Sequence, residues 1–375
     1  MPDAVKYSVG IVEFFPCTVY NYGVDIFITG FNYLAMAASC YNFRSPALRA
    51  GREVWTMPVK IDLITGFLGA GKTTFLLRYA RFLLAQGQKL GILVYDHGAM
   101  NVDLPLLNGL RGENCELETL AGGCGPDCHR RRFRTRLIAM AMCGYDRVVI
   151  EPSGVFDMDE FFDTLQEAPL DRQYELGSVI AVVDAKTDGN FSPEEDFFLA
   201  SQTACAGIVL LSKVQTAAPE DIDRTVRHLL RAQQAIGARQ TAEDGLLIKN
   251  WDDLTPADFA ALMNCGCHTP DYVKTIAGAR TAFQSLSFLD LPLEGSALLE
   301  KTARLFSDPL YGRILRVKGF YRDGETWYQM NATAQATHIE EVPETRGAII
   351  VIGSALNENE ISRLLTGRLP EHRIL

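Results

Sequence analysis

The run Gly66-Phe67-Leu68-Gly69-Ala70-Gly71-Lys72-Thr73 constrains this chain more than any other stretch, because it fits the phosphate-binding loop pattern G-x-x-x-x-G-K-[ST]. The glycines let successive backbone N–H groups, those of Ala70 and Thr74 among them, turn inward around a polyphosphate. Lys72 is placed to reach the β- and γ-phosphates, and the Thr73 hydroxyl to ligate Mg²⁺. The flanks agree with the loop. Residues 59–65 form an apolar run that reads as a buried strand, and 75–84 repeat apolar positions at helical spacing. The positive end of that helix dipole then lies behind the phosphates.

Downstream, apolar runs at 90–95, 147–151, 178–184 and 208–212 alternate with helical patterns such as 130–142 and 218–236. That alternation predicts an α/β P-loop NTPase fold with a mainly parallel sheet, covered on both faces, and ligands at the carboxyl ends of its strands. From about residue 281 the texture changes. A period-two run at 283–288 and further strand-like runs at 314–320, 327–331 and 348–353, with helices at 294–306 and 358–366, predict a smaller C-terminal α+β domain. The domains expected are therefore 57–249 and 281–375, joined by 250–280. Residues 1–56 match neither texture; Met57 reads as the natural start, with a genuine packing or membrane-surface extension as the rival.

Composition narrows the partners. A net charge of −10 gives no electrostatic case for nucleic acid or an anionic membrane. Nine cysteines in 375 residues are too few for a disulfide scaffold and read as reduced thiols in a cytoplasmic protein.

A phosphate loop needs a further carboxylate near Mg²⁺ and backbone donors that sense the γ-phosphate. The run Ile150-Glu151-Pro152-Ser153-Gly154 offers both: Glu151 at a strand end to hold Mg²⁺ through water, and the Gly154 N–H for the γ-phosphate. After the second strand, Asp96 and Asp103 are candidates to contact Mg²⁺ or orient the attacking water. His97 beside them reads more simply as a solvated loop residue than as a metal ligand.

Taken together, the sequence 66–74, the Asp96…Gly98…Asp103 loop, Ile-Glu-Pro-Ser-Gly at 150–154 and the C-terminal Leu-Arg-Val-Lys-Gly-Phe and Val-Ile-Gly runs resemble the CobW-type GTPases. These share a P-loop class with the nickel chaperones UreG and HypB. The resemblance runs from about residue 57 to the C-terminus. It implies a protein that hydrolyses GTP with Mg²⁺ and delivers a metal ion or metal cofactor to a client metalloprotein or cofactor enzyme; turnover by the chain alone is expected to be slow unless a target or dimer completes the site.

Two departures from the family pattern matter. The family's metal loop, Gly-Cys-x-Cys-Cys, is here Gly123-Cys124-Gly125-Pro126-Asp127-Cys128-His129. Cys124 matches the first family cysteine, and Cys128 matches by position only. With Asp127 and His129 they offer two to four donors suited to Zn²⁺, and also to Co²⁺ or Ni²⁺, with His97 or Asp103 available to complete the shell; loop cysteines that bind no metal, or a redox pair, are the alternatives. The family's guanine-reading Asn-Lys-x-Asp is replaced by Ser212-Lys213-Val214-Gln215. Gln215 keeps an acceptor, loses the charge and adds a donor, which predicts weaker discrimination against adenine.

Cys265-Gly266-Cys267-His268 is a second candidate metal cluster, equally readable as an exposed turn. The basic run 129–136 reads for the most part as a solvated helix face, with docking of an acidic target or an arginine reaching across a nucleotide-sandwiched homodimer as the alternatives. The leading expectation is a GTPase metallochaperone. The alternative is a regulatory GTPase that gates loading of a corrinoid or other cofactor enzyme without binding free metal.

Overall fold

A computed structural model describes residues 57–95, 104–120, 126–187, 189–272 and 283–369. The segment 1–56, Asp96, His97, Asp103 and Cys124 therefore lie outside the described residues. The first half of the chain runs β1 (Val59–Thr65), α1 (Lys72–Ala85), β2 (Leu90–Tyr95), α2 (Leu104–Leu107), β3 (Cys115–Leu120), α3 (Pro126–Ala141) and β4 (Arg147–Pro152). It continues through α4 (Met158–Gln166), α5 (Leu170–Gln173), β5 (Tyr174–Asp184), α6 (Pro193–Ala204), β6 (Ile208–Ser212), α7 (Pro219–Ala235), β7 (Leu246–Leu247) and α8 (Pro256–Met263). The rest comprises β8 (Phe283–Leu289), α9 (Gly295–Ser307), β9 (Arg313–Asp323), β10 (Thr326–Ala332), β11 (Thr337–Val342), β12 (Ala348–Ser354) and α10 (Glu358–Thr366).

Among the described residues the first seven strands form one sheet in the order β3-β2-β4-β1-β5-β6-β7, and every pairing is parallel. Strands β2 and β4 are buried along their whole length and β1 at all but one residue, as expected when helices cover both faces. Phe133, Phe161 and Leu211 pack on one face; Phe75, Leu76 and Val149 pack on the other. Trp251, Phe259 and Met263 join the second of these cores, so part of the stretch read as a join completes the P-loop sheet's packing. The later strands form an antiparallel sheet in the order β11-β10-β9-β12-β8, with Leu298, Leu305, Ile361 and Leu365 of α9 and α10 on one face. Among the described residues no helix is long and apolar enough to cross a membrane.

Beneath the phosphate loop lies a buried ionic cluster. Arg147 Nη1 on β4 donates to both carboxylate oxygens of Asp62 on β1, each at 2.6 Å. Tyr79 Oη donates to the same carboxylate at 2.7 Å and Ser178 N at 2.8 Å. Asp62 is fully buried and Arg147 nearly so. One carboxylate thus ties β1, β4, β5 and α1 together, and the shared hydrogen bonds offset its desolvation.

Candidate functional site: a phosphate loop under a second sheet

The loop between β1 and α1 follows from local sterics. Gly66 has φ 141°, and a Cβ there would lie 2.1 Å from the Val182 carbonyl oxygen on β5, so only glycine lets the chain leave the sheet at this point. Lys72 opens α1 and is buried; its Nζ donates to Gly66 O at 2.8 Å and to Phe67 O at 3.4 Å. The Thr73 hydroxyl donates to Glu151 Oε1 at 2.6 Å. Glu151 stands at the carboxyl end of β4, in register with Val94 of β2, and is buried. The sheet therefore brings together Lys72, Thr73 and Glu151 as the motif spacing requires. A hydroxyl and a carboxylate in contact are the hard oxygen pair that suits Mg²⁺. Gly154 follows two residues beyond β4 and abuts the loop: a Cβ there would sit 2.5 Å from Leu68 N.

The base-reading candidates lie at the end of β6. Ser212 is buried and its hydroxyl donates to Val183 O at 3.4 Å. Lys213 adopts φ 58° and its amine pairs with the Asp184 carboxylate at the end of β5. Gln215 is exposed on the short turn that follows. Trp251 was not legible as part of this region. Its indole N–H donates to Leu211 O at 2.9 Å, and its ring lies 3.3 Å from where a Gly71 Cβ would stand.

The C-terminal sheet closes over the outer side of the loop. Leu68 packs against Phe320, Ile350 and Ile352. A cavity of about 190 Å³ opens beside the loop, between Gly69, Asp184 and Lys213 on one side and Arg313, Thr333 and Gln335 on the other. It is a flank of the phosphate site, since neither Lys72 nor Glu151 lines it. Arg313 on β9 reaches across and pairs with Glu195 of α6 at 2.5 Å while donating to Asn190 O at 2.9 Å.

That clasp has a pH signature. Burial raises the Glu195 carboxyl above its ordinary range, while the Ser192 amide and the Arg313 charge pull it back down. A carboxyl raised in the folded state favours folding at low pH and loses that contribution as pH rises through its folded pKa. Arg313→Ala raises Glu195 further, so the loss of stability is about 1–3 kcal/mol at pH 8 and smaller at pH 4.5. Urea unfolding at the two pH values checks this; an equal loss at both would contradict it.

The candidate metal residues divide differently. Cys128 is half-buried near the start of α3, and His129 beside it is buried with its ring centroid 5.8 Å from that of Tyr95. Cys124 and the Asp127 side chain lie outside the described residues, and among the described ones no group of three His, Cys, Asp or Glu side chains could hold a metal. The Cys265–His268 cluster is corrected by its surroundings. Cys265 packs with the core on one face of the parallel sheet and Cys267 with the core on the other, and with His268 they form no group that could hold a metal. Burial also pushes the Cys265 thiol up to about 11 and raises Cys267, which keeps both protonated. The basic run is largely paired: Arg130 and Arg134 meet Glu167, and Arg136 meets Glu118.

A parallel sheet with a glycine-bounded loop, a helix-opening lysine and a Thr–Glu pair at the strand ends defines a P-loop nucleotide-binding protein. Residues 60–240 match the family model described as "CobW/HypB/UreG, nucleotide-binding domain". Over this domain the chain resembles the CobW type of P-loop GTPase. Among curated proteins it resembles the zinc chaperone YjiA of Escherichia coli, 30% identical over 169 residues, which are 43% of this chain and 51% of that protein. The zinc chaperone YeiR of the same organism is 28% identical over 222 residues, 57% of this chain and 64% of YeiR. The zinc chaperone CobW of Sinorhizobium sp. is 30% identical over 148 residues, 37% of this chain and 40% of that protein. The chain thus spans between two fifths and two thirds of the length of these relatives.

Proposed function

We propose that this protein is a GTP-hydrolysing metallochaperone, which couples its nucleotide state to delivery of Zn²⁺, or of Co²⁺ or Ni²⁺, to a client metalloprotein or cofactor enzyme. The observation that carries the reading is the Thr73–Glu151 hydrogen bond at 2.6 Å beside a buried loop lysine. Thr73 and Glu151 would hold Mg²⁺, which supplies charge neutralisation on the phosphates when bound. Lys72 exchanges its hold on the loop carbonyls for the β- and γ-phosphates. The loop amides from Gly69 to Thr74 and the Gly154 N–H donate to phosphate oxygens, so catalysis is mostly positioning and electrostatic stabilisation. Asp96 and Asp103 are assigned to orienting the attacking water, and Ser212, Lys213 and Gln215 to the base. Cys124, Cys128 and His129 are assigned to the cargo ion; the names of YjiA, YeiR and CobW favour zinc among the three.

The deciding experiment titrates Zn²⁺, Co²⁺ and Ni²⁺ into the full chain with and without Mg²⁺·GTP, beside Cys124→Ser. Binding that depends on nucleotide and is lost in Cys124→Ser is the expected result. No binding, or weak binding indifferent to both, moves the reading to a regulatory GTPase without free metal. The burial of His129 against Tyr95 favours that alternative.

A further inference from the structure

Helix α6 carries a side chain that the phosphate-site motifs do not account for. Gln202 is fully buried, and its Nε2 donates to Gly154 O at 3.1 Å and to Phe156 O at 3.4 Å. Phe156 N donates in turn to Ser153 O at 3.2 Å. The peptide plane before Gly154 is therefore held by Phe156, and the plane after it by Gln202. In a trans peptide the N–H and C=O point in opposite directions, so the Gly154 N–H faces away from the amide that holds the Ser153 carbonyl. Gly154 itself lies against the loop, too close to Leu68 for any side chain. Holding an amide here has a cost. Gln202 Oε1 is buried with no hydrogen-bond partner among the described residues, a desolvation penalty that an aliphatic side chain of similar length would avoid.

We propose that Gln202 is the positioning residue of the γ-phosphate sensor: its amide clamps the turn Gly154–Phe156 against the phosphate loop and so presents the Gly154 N–H to the terminal phosphate. The clamp rests on the GTP-binding reading above and gives it a consequence, because a group that acts at the γ-phosphate distinguishes GTP from GDP. A residue that only packed the core would weaken both nucleotides alike.

The test measures the affinity of the full chain, with Mg²⁺, for GDP and for the β,γ-imido analogue of GTP. Wild type is compared with Gln202→Leu and Gln202→Glu at pH 8 and pH 5.5. Gln202→Leu is expected to hold GDP within about twofold of wild type and to lose about tenfold in affinity for the imido analogue, the worth of one buried hydrogen bond. Gln202→Glu is expected to show the same loss at pH 8 and to regain part of it at pH 5.5 relative to wild type. Burial favours the protonated carboxyl, whose O–H can donate as the amide did. If Gln202→Leu loses its fold, this pH-dependent recovery in Gln202→Glu decides alone: its presence supports the clamp and its absence overturns it. An unchanged preference for the imido analogue in both variants, or an equal loss for both nucleotides without pH recovery, overturns the clamp and leaves the GTP-binding reading standing. A wild-type chain that binds neither nucleotide overturns both.

Discussion

Alanine in place of Lys72 is expected to slow GTP hydrolysis by at least about a hundredfold, the usual effect of removing one preorganised donor from a site of developing charge. The loop itself holds the lysine in place. Its stem is buried and its amine spans the loop to the carbonyls of Gly66 and Phe67, so its charge sits inside the curl where a phosphate would enter. Lys72→Ala removes that charge and also the tie that closes the loop on itself. Nucleotide affinity should therefore fall together with turnover. The fold should survive, because the glycine geometry at Gly66 and the β1–β5 pairing do not depend on the amine. Single-turnover phosphate release, read beside a thermal melt, is the measurement. Hydrolysis within threefold of wild type in a folded Lys72→Ala protein would remove Lys72 from the chemistry.

Asp62→Ala is expected to lower folding stability by roughly 3–5 kcal/mol, the range for removing one partner of a buried ion pair. The loss is large because the carboxylate serves three donors at once. Without it Arg147 remains charged in the sheet's interior, and the Tyr79 hydroxyl and Ser178 amide lose their acceptor. Breaking the pair and removing the pair are different experiments. The double variant Asp62→Leu with Arg147→Met leaves no buried charge and should recover the part of the loss due to Arg147, while the Tyr79 hydroxyl and Ser178 amide still lack their acceptor. Urea unfolding of the single and double variants measures both, and a single-variant loss under 1 kcal/mol would show that the cluster is looser than its geometry implies.

Strand β1, with β2 and β6, was legible in the sequence because each is an apolar run long enough to cross a sheet buried on both faces. Strand β3 was missed: Cys115-Glu116-Leu117-Glu118 alternates as a sheet edge does, and its charges hide it among loops. Strand β11 was missed for the same reason, being almost wholly exposed at the edge of the second sheet. Helix α8 lay in a stretch rich in Asp, Thr and Pro, and its capping box at Thr255 and Asp258 was the overlooked signal.

The site divides along the same line. The places of Lys72, Thr73, Glu151 and Gly154 around the loop were readable because each belongs to a short motif fixed to a strand end. Arg313 was not, because its partner Asn190 lies 123 residues away and the pairing is settled only when two domains pack. Gln202 and Trp251 were hidden likewise: each bonds to a backbone carbonyl, and the identity of the residue at the other end leaves no mark in the sequence. The exposure of Gln215 also took a structure to see.

Leu68 belongs to the phosphate loop and is seated in the apolar face of the C-terminal sheet. Any ligand that changes the loop's shape therefore changes how well that sheet fits, and thermodynamic linkage makes the effect reciprocal. A client that grips the second sheet and draws it from Leu68 alters nucleotide affinity by the same factor by which nucleotide alters the grip on the client. On the proposed function, a client would then act on the nucleotide through the seat of Leu68 without touching the phosphates.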